Sequence, residues 1–281
     1  MDTTSTKAII DIKTEPFRHY KHIFMLNGLN LTYTHPLYKY MPYNRFVSSV
    51  KKSEIVFVSP ITWLDPFERR FWKTNYSRYG FIQPEIACMC LTTKAATNEE
   101  AAWKMYADGK DKLLRVAIIK ETLFDILENY AENNNCNIYV GKAIYNYSHN
   151  EIMHLHDDNN EFFPSEPNSF NIDHYLSLMC LKRKSFAFEN EIRIFIVKDQ
   201  IEWNDNIVKV QTPIDDKLIK AIKIGPLAPY SHNDPRKVVY NKIQKEEENV
   251  YKKELNTLFP NSNIKILQSQ LYADKTPLAQ I

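Results

Sequence analysis

Seven consecutive residues, Phe188-Glu189-Asn190-Glu191-Ile192-Arg193-Ile194, place an acid, an acid and a guanidinium at every second position. Read as a β-strand, the run turns Glu189, Glu191 and Arg193 to one face, with the Cα atoms of the two acids roughly 6.5 Å apart. Two carboxylates so placed can divide a reaction at a sugar carbon. One stays ionised and stabilises oxocarbenium-like charge, while the other deprotonates or orients the nucleophile. Arg193 on the same face favours the ionised form of Glu191. An amphipathic strand with solvated acids and one Glu–Arg pair shows the same pattern. The chemistry therefore requires residue 191 to face a hollow rather than water.

Other residues invite chemistry more weakly. Asp65-Pro66-Phe67-Glu68 reads first as structural: the proline fixes an extended or turn geometry at Asp65, which caps the following helix. His154-x-His156-Asp157-Asp158 has alternating imidazoles that chelate a metal if a third ligand such as His174 approaches, and otherwise forms a solvated loop. Trp103 and Tyr106, three apart on a helix, share a face that packs on a sheet, with Tyr106 a candidate pocket wall.

The elements that hold these residues follow from composition and period. The 281-residue chain has a net charge of +2, so no broad polyanion-binding surface is announced, and Lys51-Lys52, Arg69-Arg70 and Lys182-Arg183-Lys184 read as solvated faces. Its five glycines are isolated from one another, which excludes both the dinucleotide-binding G-x-G-x-x-G turn and the P-loop. Four cysteines match neither a zinc spacing nor a disulfide framework and read as buried thiols. With no apolar leader and no membrane-length apolar run, a cytoplasmic protein without a membrane partner is expected. Residues 1–33 read as a helical or irregular lead-in, and 34–281 as one α+β domain. Strands are expected at 37–41, 55–60, 86–91, 114–119, 188–197, 207–210, 222–224 and 264–267, with a strand pair at 138–147. Helices are expected at 45–52, 98–108, 120–132, 173–182 and 237–258, and a loop over 157–171. Strands without regular intervening helices predict a mostly antiparallel sheet.

Four segments occur in the order seen in a bacterial family. They are Tyr38-Lys39-Tyr40, then Ser59 to Glu68, then Trp103-Lys104-Met105-Tyr106-Ala107-Asp108-Gly109, and last Lys182 to Arg193. Over roughly residues 35–270 the chain resembles the family catalogued as domain of unknown function 2971. Leu64 stands where that family usually has Asn, and Asn190 where it often has Lys. Through three of these stations the chain is also similar to ADP-ribosyltransferases. Those enzymes carry an NAD-contacting residue on an early strand, a Ser or aromatic on a second, and a Glu-x-Glu on a later one.

That resemblance implies a split antiparallel β-sandwich with flanking helices, and NAD bound as co-substrate without a glycine loop. Tyr38, Lys39 or Tyr40 would contact NAD, Ser59 would serve the second station, and Tyr40 or Phe67 would stack on nicotinamide. Glu191 would stabilise the ribosyl cation and Glu189 would prepare the acceptor. Asp65 and Arg193 would support them. The implied product is ADP-ribose on RNA, DNA or protein, made by a toxin or antiphage effector under an inhibitory antitoxin. Two alternatives stand beside it. One is a metal-dependent nuclease or hydrolase using Asp65, Glu68 and the His154–Asp158 cluster; the other is a catalytically silent binding module.

Overall fold

Short apolar runs rich in branched residues make strands and amphipathic stretches make helices, giving a mixed α/β protein whose sheet pairings are mostly antiparallel. The computed structural model describes residues 15–26, 29–31, 36–93, 99–106, 112–154, 170–226 and 237–269. The strands are β1 (Glu15–Pro16), β2 (Ile23–Met25), β3 (Leu37–Pro42), β4 (Glu54–Val58), β5 (Glu85–Thr92) and β6 (Leu113–Ile118). After them come β7 (Asn137–Lys142), β8 (Glu191–Lys198), β9 (Ile207–Gln211), β10 (Ile219–Ile224) and β11 (Lys265–Gln268). The helices are α1 (Tyr43–Lys52), α2 (Pro66–Lys73), α3 (Glu99–Tyr106), α4 (Lys120–Asn134), α5 (His149–His154), α6 (Ile172–Met179) and α7 (Lys237–Leu258). Short 3-10 turns cover Pro60–Thr62, Ser77–Tyr79 and Lys184–Glu189.

The chain forms two compact units. The first holds the described residues within Met1–Thr34, Val56–Leu91 and Phe124–Val210. Its strands follow the order β1-β2-β7-β8-β5, with β4 also bonded to β5. β8 has a neighbour on each side, so its residues from Glu191 to Val197 are all buried and its sequence is nearly continuous in apolar side chains. Phe71, Tyr76, Tyr175, Leu176, Cys180 and Phe195 join one core cluster, to which α2 and α6 contribute. In β7, Gly141 lies opposite Arg193. A Cβ there would stand 2.6 Å from Cys180 Sγ and 3.0 Å from Leu26 Cδ1, so the strand passes the core only as glycine.

The second unit holds the described residues within His35–Ile55, Thr92–Leu123 and Gln211–Ile281. Its strand order is β3-β6-β10-β11, antiparallel except for the parallel β10–β11 pair. Tyr40 on β3 stacks on Tyr106 of α3 at 5.3 Å and meets Trp103 edge-on at 5.1 Å. Neither strand path closes on itself.

Two expectations need correction. Residues 23–25, expected in a helical or irregular lead-in, form β2 parallel to β7, because Ile23, Met25 and Leu26 have core to cover. The pair expected over 138–147 is only β7. Beyond it Ala143 donates its backbone N–H to Glu191 O, and Ile144 bridges Leu181. Residues 155–169 and 107–111, with His156, Asp157, Asp158, Asp108 and Gly109, lie outside the described residues. Among the described residues no helix is long and apolar enough to cross a membrane.

Candidate functional site

The run that promised two acids on one strand face folds otherwise. Lys184–Glu189 is a 3-10 turn, Asn190 takes left-handed backbone angles (φ 48°, ψ 47°), and β8 begins only at Glu191. Asn is one of the few side chains that adopt this conformation readily, and its Nδ2 donates to Phe188 O at 3.2 Å. The two carboxyls therefore meet across a tight turn rather than along a pleat. Arg193, two residues into the strand, does share the face of Glu191.

Around them lies a buried ion cluster in the first unit. Arg193 Nε donates to Glu191 Oε1 at 2.5 Å and Nη2 to Glu68 Oε2 at 2.7 Å, while Nη1 donates to Met179 O. Lys182 Nζ donates to Glu191 Oε2 at 2.7 Å and to Glu189 Oε2 at 2.5 Å, and stands 3.6 Å from Glu68 Oε1. The Tyr145 hydroxyl accepts from Glu191 N at 3.1 Å. The indole ring of Trp63 lies 4.5 Å from the Arg193 guanidinium carbon. Arg193 is fully buried and the two acids of β8 and its turn are 3% exposed, so the cluster works in a low-dielectric setting.

The two acids end in different protonation states. Burial alone would raise Glu191, but Arg193 and then Lys182 outweigh it and hold the carboxyl well below the usual carboxylate range. Burial pushes Glu189 up to about 8 against the pull of Lys182, and the neighbouring Glu191 carboxylate adds to the rise. Charge balance explains the outcome. Three carboxyls face two cations, and a proton on Glu189 makes the cluster neutral. One atom is left over: Glu189 Oε1 is buried with no hydrogen-bond partner.

The other expected site residues divide between the units. Asp65 caps α2 by accepting from Phe67 N at 2.9 Å, and its Oδ2 accepts from Arg183 Nε and Nη2 at 3.2 and 3.0 Å. Arg183 in turn lies 4.8 Å over the ring of Phe67. Ser59 is buried, and its side chain accepts from Ile61 N as the cap of the 3-10 turn. These residues share the first unit with Glu189, Glu191 and Arg193. Tyr38, Lys39, Tyr40 and Tyr106 belong to the second, where Arg115 lies over the Tyr38 ring and one face of Tyr40 is taken by Tyr106. His174, offered as a metal ligand, completes the cap of α6 with Asn171. Among the described residues no three His, Cys, Asp or Glu side chains are grouped to hold a metal.

Sequence reading missed Lys182, Tyr145 and Trp63 as members of this site. Lys182 belonged to a basic triplet expected in solvent, yet it is 8% exposed. Its place directly after the apolar run Leu178-Met179-Cys180-Leu181 was the available signal. The chain matches no family model, no curated protein and no solved structure.

Proposed function

We propose that the protein is an ADP-ribosyltransferase, which breaks the nicotinamide–ribose bond of NAD and passes ADP-ribose to a macromolecular acceptor. The observation that carries this reading is the orphaned Glu189 Oε1 beside an ionised Glu191. A buried oxygen without a donor is a place for an incoming hydroxyl or amine, and a carboxyl near pH 8 is matched to taking its proton. In the reaction the bonding pair of the N-glycosidic bond leaves with nicotinamide. Glu191 supplies negative charge near the ribosyl cation. The acceptor atom bonds to the ribose carbon and its proton passes to Glu189. Trp63, whose ring lies against Arg193, is offered for stacking in place of the expected Tyr40. The mostly antiparallel sheet and the absence of a glycine loop agree with the split sandwich and NAD binding of those enzymes. A role as toxin or antiphage effector, held by an inhibitory partner, belongs to the same reading.

Release of nicotinamide from ring-labelled NAD, measured with RNA, DNA and protein acceptors present, tests it. The wild type is expected to release label at a rate rising through about pH 8. Glu189→Gln is expected to cost about 10²-fold, the scale of general-base catalysis, and Glu191→Gln at least as much. No release by the folded wild type, or full activity in Glu189→Gln, overturns the proposal. A second reading, a silent binding module, is favoured by one observation: both oxygens of Glu191 already hold a cation. It predicts that Glu191→Gln lowers stability while NAD stays intact with either protein.

A further inference from the structure

The acid cluster occupies the start of β8. Toward the other end of that strand, roughly 23 Å from Glu191 at the usual rise per residue, Lys198 shares a face with Ile196, and both line a second hollow. Its volume is about 290 Å³, and its wall lies wholly within the first unit. The apolar wall is Ile196, Cys136 and Val208, all buried, with Ile201, Ile207 and Tyr130 half-buried beside them. Burial pushes the Cys136 thiol up to about 11 against the pull of Lys198, so this part of the wall stays uncharged. A wider hollow of about 960 Å³ adjoins it through Cys136, Lys198, Ile201 and Glu202.

Two opposite charges line the smaller hollow without meeting. Among the described residues, neither the half-buried Lys198 nor the exposed Glu202 makes a side-chain hydrogen bond or an ion pair, with each other or with any third group. Lys209, the other charge on this wall, is already engaged, and Asp199 and His22 line only the adjoining hollow. The segment that carries Glu202 is nonetheless pinned. On either side of it, Ile201 N and Trp203 Nε1 donate to Glu85 Oε2 at 2.5 and 3.1 Å. Lys198 is held in turn by its strand, whose preceding residue Val197 pairs with Asn137 of β7. Two anchored backbones thus present an unmatched cation and an unmatched carboxylate at one apolar hollow.

Small-molecule sites are largely apolar hollows in which a few polar groups fix orientation, and about 300 Å³ is the lower end of their size range. A phosphate or a bare carboxylate would answer Lys198 but be repelled by Glu202, and an amine alone would do the reverse. A zwitterion answers both charges, and an apolar body on it matches the buried wall. We infer that this hollow binds a free α-amino acid with a branched or aromatic apolar side chain. Its carboxylate meets Lys198, its ammonium meets Glu202, and its side chain lies against Ile196 and Val208. The inference goes beyond the transferase reading and does not depend on it.

Isothermal titration of the full chain with L-leucine and L-phenylalanine tests it, without NAD. Each amino acid is accompanied by two truncated analogues, the acid that lacks the ammonium and the amine that lacks the carboxylate. At least one amino acid is expected to bind with a Kd of about 1 mM or tighter, and its analogues about tenfold or more weakly. Lys198→Met and Glu202→Gln are each expected to weaken the amino acid about tenfold. Neither side chain has a partner to lose, so both variants should melt with the wild type, and thermal melting checks that they do. Absence of binding by both amino acids up to about 10 mM overturns the inference. So does equal affinity for an amino acid and its two analogues, which would leave an apolar contact alone. Binding indifferent to both substitutions overturns it as well, by placing the ligand elsewhere.

Discussion

Glu189 and Glu191 are chemically identical side chains two residues apart, and their neighbours drive them in opposite directions. Glu191 is gripped through both oxygens by cations, while Glu189 has one ammonium and one empty oxygen. This difference has a thermodynamic signature. In an unfolded chain Glu189 titrates near the ordinary value of about 4.3, against about 8 when folded. Between those limits only the folded protein holds the proton, so the stability from Glu189 is full below about pH 4 and is lost as pH rises toward 8. Glu191 runs the other way: held low, it contributes above the usual carboxylate range and its contribution is lost as pH falls below that range. Urea unfolding at stepped pH should show wild-type stability falling relative to Glu189→Gln between pH 5 and 8, by up to ~1.4 kcal/mol per pH unit. Parallel curves would show that no proton is held there.

The element that sets this contrast is the turn ahead of β8. Asn190 reverses the chain in left-handed conformation, so Glu189 folds back toward Lys182 instead of continuing the pleat. Asn190→Gly should fold at nearly unchanged stability. Asn190→Val should lose about 1–2 kcal/mol, because a branched side chain is strained at positive φ. It should also weaken the pH dependence assigned to Glu189, read in the same urea series. Equal stability of the valine and glycine variants would remove the turn from the account. Strand β7 sets a second constraint. Gly141→Ala would press on Cys180 Sγ and Leu26, costing about 1–3 kcal/mol as overpacking does.

At the scale of the molecule, two units each enclose apolar residues, and the four thiols, all in the first unit, report on its packing. Cys88, Cys136 and Cys180 are buried while Cys90 is partly exposed. Burial pushes Cys136 up to about 11 and Cys180 up to about 12, and raises Cys88 as well, so few thiolates are available. A chromogenic disulfide reagent at pH 8 should label about one thiol quickly in the native protein. Denaturant should expose all four. Rapid labelling of all four without denaturant would contradict the core described for the first unit.

Local order in the chain determined most elements. Short apolar and aromatic runs mark β3, β5 and β6, the cap residue Asp65 marks α2, and isolated glycines already rule out a phosphate loop. Such signals depend on neighbours a few positions apart, which a linear reading contains. The partners of Glu191 were another matter. Arg193 is two residues away and legible as a period-two neighbour, whereas Glu68 comes from a helix over a hundred positions earlier and Lys182 from a triplet that looked solvated. Even the meeting of Glu189 with Glu191 depends on Asn190 leaving the strand conformation that the flanking residues favour. Protonation, burial and charge balance arise only when distant side chains share one desolvated volume, so tertiary structure alone decided which acid keeps its proton.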